Sequence, residues 1–136
     1  MTPHEVVQRF VDCINAHDVA GLGESMTPDH SFIDSLGNTM RGREAMTDAW
    51  RQYFAMVPDY RIVVERFLDD ESVIVAFGRA EGTFTSDGSL HEANAWCTPA
   101  AWRAVVRADG VAEWQVYADN EPIRQVMARL ATTEQR

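Results

Sequence analysis

Apolar positions along this chain follow a helical period up to about residue 58 and an alternating period afterwards. Between Pro3 and Ala16, the residues Val6, Val7, Phe10, Val11 and Ile14 fall on one helical face. A second, short helix is predicted over Val19 to Met26, stopped by Thr27-Pro28 because proline cannot continue a helix. His30 to Asp34 then reads as a short strand, followed by a Gly37-Asn38 turn and a Gly42-led entry into a helix. Ala45, Met46, Ala49, Trp50, Tyr53, Phe54 and Val57 form one wide apolar stripe. They predict a strongly amphipathic third helix ended by Pro58.

Beyond Asp59 the reading is of strands. Tyr60 to Leu68 is one strand, Asp69-Asp70-Glu71 an acidic turn, and Ser72 to Thr85 a second strand. Ser86-Asp87-Gly88-Ser89 carries the Asp-Gly signal of a tight hairpin and leads to a long third strand. Pro99, which cannot donate to a ladder, marks a bulge or bend there. The strand resumes from Trp102 to Arg107, turns at Asp109-Gly110 and returns as Val111 to Ala118. Ile123, Val126, Met127 and Leu130 outline a short C-terminal helix, with Pro122 in its first turn. Helices followed by an antiparallel meander make an α+β arrangement, with three N-terminal helices packed on a curved antiparallel sheet that would enclose a pocket. No linker or repeat divides the chain, and 136 residues suit a single domain, 1–136.

Composition narrows the partners. Hydrophobic residues at 46% and charged residues at 24% describe a globular chain rather than a disordered one. No apolar run reaches the roughly 20 residues of a membrane span, and Met1-Thr2-Pro3-His4-Glu5 is unlike a signal peptide. A cytoplasmic protein with no membrane partner is expected. The net charge of −9 would repel a phosphate backbone, so no nucleic acid is expected either. Cys13 and Cys97 sit far apart in apolar surroundings and read as buried free thiols. Neither a metal-ligand spacing nor a phosphate-cradling glycine motif occurs, so neither a metal nor an organic cofactor is expected.

Strand alternation predicts the faces. If the Ser86–Ser89 turn pairs Thr85 with Leu90, Glu81 lies opposite Asn94 and Arg79 opposite Trp96. Both then share an inner face with Val73, Val75 and Phe77. The outer face would be Ala76, Gly78, Ala80 and Gly82, a small-residue row that either docks a second copy as a homodimer or eases sheet curvature. The same parity brings Trp96 and Trp102 inside. A three-residue loop, Ala108 to Gly110, would add Trp114, Val116 and Ala118. A two-residue turn would bring in Glu113, Gln115, Tyr117 and Asp119 instead.

The order of residues from His30 to Ala45, with Asp34 closing a strand before the Gly-Asn turn, resembles the base-bearing segment of ketosteroid isomerases and SnoaL-like polyketide cyclases. Together with the ending Trp114-Gln115-Val116-Tyr117-Ala118-Asp119, the resemblance covers nearly the whole chain and extends to the nuclear transport factor 2-like superfamily. It implies a cone-shaped roll around a hydrophobic pocket, with an aspartate at the Asp34 position looking into it.

On that reading, burial of Asp34 beside Trp50, Tyr53 or Phe54 makes it a general base usable near neutral pH. The plain alternative is a turn aspartate capping Leu36-Gly37. The resemblance to ketosteroid isomerase is incomplete: Phe10 stands at the expected tyrosine position, and Trp102 or Arg103 at that of the second oxyanion donor. Authentic steroid isomerisation is therefore not expected. Limonene epoxide hydrolase, of the same fold, uses an Asp-Arg-Asp set where this chain has Phe77, Arg79 and Val116. Arg79 remains a candidate to polarise a carbonyl, or is held in a structural contact with Glu81 or Trp96.

His30 shares a strand face with Phe32 and either serves the pocket mouth or is a surface histidine. Asp119 matches the late acid/base aspartate of SnoaL-like cyclases, or caps the closing helix with Asn120. Trp96, Trp102 and Trp114 either receive a flat guest, polarised by an indole N–H, or fill the core. The expected function is binding of a hydrophobic, cyclic or carbonyl-bearing small molecule, with isomerase, cyclase/lyase or hydrolase chemistry at Asp34. The alternative is a non-catalytic binding module of the same fold.

Overall fold

The computed structural model describes residues 1–134. Thr2 opens α1 (Pro3–Ala16), its hydroxyl accepting from the Glu5 N–H at 3.1 Å while Pro3 supplies the fixed φ of a first turn. His17 closes α1 in a left-handed conformation, φ 54°. The apolar face read from the sequence, Val6 through Ile14, is buried.

The second helix, α2 (Val19–Ser25), is one residue shorter than expected and passes directly into β1 (Met26–Ile33). Pro28 therefore lies inside the first strand rather than before it. It falls in the irregular stretch between Met26 and Ser31 where the ladder to β6 is interrupted, as a residue without an N–H requires. A three-residue strand, β2 (Thr39–Arg41), returns antiparallel to β1, and α3 (Arg43–Met56) follows. Then come β3 (Arg61–Asp70), β4 (Val73–Thr83), a 3-10 turn (Glu92–Asn94), β5 (Ala95–Arg107), β6 (Gly110–Ala118) and α4 (Glu121–Glu134). The last helix has 14 residues, as many as α1, rather than being short.

The strands form one curved, unclosed sheet in the order β2-β1-β6-β5-β4-β3. It is not wholly antiparallel: β1 lies parallel to β6, bringing the opening strand against the last one. With the helices covering its concave side, this is the cone-shaped α+β roll expected.

Two connections decide which side chains look inward. The β4–β5 loop is longer than the four-residue turn predicted from Asp87-Gly88, and Thr83 pairs with Ala95, Glu81 with Cys97. That displaces the expected pairing by three residues, and an odd displacement inverts the facing of β4. Ile74, Ala76 and Ala80 are consequently buried under the helices, while Val73, Val75, Phe77, Arg79 and Glu81 occupy the outer face. The small-residue row is thus an inner row, and the outer surface expected of it does not exist.

At the β5–β6 turn only Ala108 and Asp109 intervene, both at positive φ, 49° and 61°. Alone, that two-residue turn would point Glu113 and Gln115 inward. Ala112 is an extra residue between the pairs Val106–Val111 and Val105–Glu113, and this bulge restores the parity. Trp114, Val116 and Ala118 face in as predicted, by a different route.

β3 and β2 are the sheet margins. β3 bulges at Glu65, between Val64 and Arg66, and carries Arg61, Arg66, Asp69 and Asp70 besides. Gly78 pairs with Val64 beside that bulge, where a Cβ would sit 1.8 Å from the Val63 carbonyl oxygen; only glycine fits. The thiols are unpaired, but Cys97 is exposed on the outer face rather than buried, and Cys13 is only partly buried. Among the described residues, no helix is long and apolar enough to cross a membrane.

Candidate functional site

Where β1 ends, the chain tightens into a turn built around Asp34. Its Oδ1 accepts from the Leu36 and Asn38 amides, each at 2.9 Å, and its backbone carbonyl accepts from Gly37 N–H at 3.0 Å. Gly37 takes φ 87° there, a conformation that glycine adopts at little cost. Asp34 is half-buried, not buried as the general-base reading expects. It caps the turn, and it lines a cavity of about 370 Å³ enclosed between the sheet, α3 and α4. Its Oδ2 accepts no hydrogen bond from the described residues.

The cavity is overwhelmingly aromatic. Trp102 and Trp114 form its sheet-side floor, their rings stacked with centroids 6.4 Å apart. Phe32, Trp50, Tyr53, Tyr60 and Trp96 make the walls, with Met46 and Ala49 from α3, Ala80, Val116 and Ala118 from the sheet, and Met40 at the rim. Ile123, Arg124 and Met127 of α4 close one side.

Most polar groups on this lining are already engaged. The Thr98 hydroxyl donates to the Asp119 carbonyl at 2.9 Å, the Asn120 amide donates to the Ser35 hydroxyl, and Arg124 pairs with Glu121 at 3.2 Å. Tyr53 and Tyr60 differ. Their rings stand 4.9 Å apart and nearly perpendicular, and neither hydroxyl has a partner among the described residues. Burial pushes both phenols up, so they stay protonated through the neutral range. The indole N–H groups of Trp50 and Trp96 are sealed from solvent without an acceptor. They do not open onto the free volume, but Trp102 and Trp114 also line the cavity and their indole nitrogens are not among the sealed atoms, so an indole N–H facing a guest could come only from these two.

Of the residues singled out in the sequence, Asp34, Phe32, Trp50, Tyr53, Trp96, Trp102, Trp114, Val116 and Ala118 come together on this lining. Others do not. Phe10 is fully buried core, packed on Trp114 at 4.8 Å. Phe54 stacks on His17 at 4.1 Å, away from the cavity. His30 is neither at a mouth nor on the surface. It is 0% exposed behind the floor, with Nδ1 bonded to the Val111 carbonyl at 2.6 Å and Nε2 unpartnered.

Phe77 and Arg79 are on the outer face, because β4 is inverted. Phe77 is 41% exposed, and Arg79 pairs with Glu65 at 3.5 Å and Glu81 at 3.6 Å. Asp119 is exposed and caps α4, its Oδ1 accepting from Glu121 N–H at 3.0 Å. Sequence reasoning did not assign Tyr60, Ser35, Thr98, Asn120 or Arg124 to the pocket. For Tyr60 the sequence does hold a signal, since it is the first aromatic after the stripe of α3, but its place at the head of a predicted strand gives it no distinct role.

The SnoaL-like domain family matches residues 7–126. No curated protein sequence matches the chain. Among solved structures, a candidate SnoaL-like polyketide cyclase from Shewanella denitrificans superposes with a TM-score of 0.80 at 11% identity, covering 93% of this chain and 97% of that one. IdmH, a candidate polyketide cyclase from Streptomyces antibioticus, gives 0.76 at 17% identity over 94% and 99%. A hypothetical protein of ketosteroid isomerase-like fold from Catenulispora acidiphila, in complex with trimethylamine, gives 0.72 at 19% over 86% of each. At these identities the likeness establishes the fold.

Proposed function

The chain belongs to the SnoaL-like domain family, and from that premise we propose that it is a cofactor-independent enzyme for a hydrophobic, cyclic or carbonyl-bearing small molecule. Asp34 moves the proton. The observation that carries this reading is a carboxylate with one unengaged oxygen on the lining of an aromatic cavity. A base held there removes a proton α to the substrate's carbonyl, leaving an enolate. Returning the proton to a different carbon isomerises the substrate. Attack of the enolate carbon on a second carbonyl closes a ring, the proton passing to the new alkoxide. Stacked indoles and perpendicular phenols favour a flat guest.

The test is exchange of the α-protons of 1-tetralone in heavy water, followed by NMR. The protein is expected to accelerate exchange above the buffer rate, and Asp34→Asn to abolish the acceleration. Asparagine keeps an oxygen for the Leu36 and Asn38 amides, so the turn survives while the base is lost. Equal exchange by both proteins refutes the assignment of Asp34.

The engagement of Oδ1 by two amides favours a second reading, a ligand-binding module in which Asp34 only shapes the turn. That reading expects 1-tetralone to bind without accelerated exchange. As a further part of the proposal, the protein acts in the cytoplasm and forms a homodimer through its outer sheet face. There, Phe77, Ala101 and Tyr117 align across three paired strands, Phe77 and Tyr117 exposed.

A further inference from the structure

The geometry points to Tyr53 and Tyr60 as a paired donor site for one oxygen atom of the ligand, a carbonyl, enolate or phenolate oxygen. This rests on the cavity being a ligand site and adds what part of the ligand it grips. Both rings line the cavity, 4.9 Å apart, at an interplanar angle of 84°. Phenylalanine would build the same walls without leaving a hydroxyl that lacks a partner among the described residues.

The sealed, unpartnered polar atoms are Arg9 Nε, His30 Nε2, Arg43 Nε and the Trp50 and Trp96 indole nitrogens; neither phenol oxygen is among them. The phenol oxygens therefore open onto space, and the space their residues line is the cavity.

The site is also held rigid. The Tyr60 N–H donates to the Val57 carbonyl at 3.0 Å, and the Tyr60 carbonyl accepts from His17 Nε2 at 2.7 Å. His17 in turn stacks flat on Phe54, one helical position beyond Tyr53. Donors fixed in advance at an apolar wall do not reorganise when negative charge gathers on an oxygen, which is what an enolate-forming reaction requires. Burial keeps both hydroxyls protonated and hence able to donate. Despite Phe10 and Trp102, the cavity therefore has donors, from α3 and from the residue just before β3 instead of from α1 and β5.

Quenching of tryptophan fluorescence by 2-naphthol and by 2-methylnaphthalene, nearly the same shape without the oxygen, tests the site. Tyr53→Phe and Tyr60→Phe are each expected to weaken 2-naphthol about 3- to 10-fold, the worth of one hydrogen bond, while 2-methylnaphthalene binds as before. Unchanged 2-naphthol affinity in both variants overturns the inference while leaving the cavity as a ligand site. Failure of both probes to bind the unaltered protein refutes the cavity as a ligand site, and this inference with it. A donor effect on 2-naphthol without accelerated exchange of 1-tetralone supports the phenol pair and refutes only the base.

Discussion

Acidification from pH 7.5 to 5 is expected to weaken the fold through one imidazole, that of His30. The Val111 carbonyl can only accept, so Nδ1 carries the hydrogen and the lone pair sits on Nε2, sealed and unpartnered. A proton added there would place a cation behind the cavity floor with nothing to receive its N–H. Burial accordingly holds the imidazole below its ordinary 6.5, against smaller opposing effects of the Val111 bond and the Asp29 and Glu113 charges.

The sign follows from linkage. Below about pH 6.5 the unfolded chain takes up a proton that the folded chain refuses. Stability is full above that value and falls as pH drops, until the folded imidazole titrates too. The limiting slope is about 1.4 kcal/mol per pH unit, which caps the loss by pH 5 at about 2 kcal/mol. Urea unfolding followed by tryptophan fluorescence measures it in the unaltered protein and in His30→Asn, which keeps a donor near the Nδ1 position and cannot titrate. Asparagine lowers stability at every pH by leaving a void, so the comparison is of slopes. Parallel pH profiles would refute the reasoning.

Gly78→Ala is expected to cost several kcal/mol, because its methyl group would collide with the Val63 carbonyl at a bulge that cannot move independently of the sheet. A loss under about 1 kcal/mol in the same urea assay counts against that packing. Arg79→Ala is expected to change stability by no more than about 0.5 kcal/mol, since its partners are surface carboxylates, and to leave 2-naphthol affinity untouched. A tenfold loss of affinity would return the guanidinium to the cavity.

Local signals were readable where one short segment determines the outcome. The helical stripe of α3 and the Asp34 turn with its glycine needed no distant partner, and both are where the pattern put them. Facing within the sheet depends on counting residues through connections, and there a single error propagates. Asp87-Gly88 does form local turn bonds, with Thr85 and Ser89, but not the hairpin itself. The ladder starts only at Thr83 and Ala95, which put Arg79 and Phe77 outside.

At the next turn, a short connection and the bulge at Ala112 compensate, so Trp114 faces inward although the loop is shorter than the three residues expected. The parallel pairing of β1 with β6 and the burial of His30 against Val111 join residues more than 80 positions apart, and no local pattern encodes such contacts. An aromatic at a predicted strand start, such as Tyr60, is ordinary in sequence. Its meaning lies in an oxygen without a partner, which only the packed structure reveals.

The two free margins of the sheet carry different protection against fibrillation. On one side only three residues are available to recruit a foreign strand. On the other, a ten-residue margin is broken by a bulge and studded with arginine and acid side chains. Stacking of one molecule's ladder onto the next would have to desolvate those charges and straighten that kink, so a chain rich in indoles can be concentrated without seeding ordered aggregates.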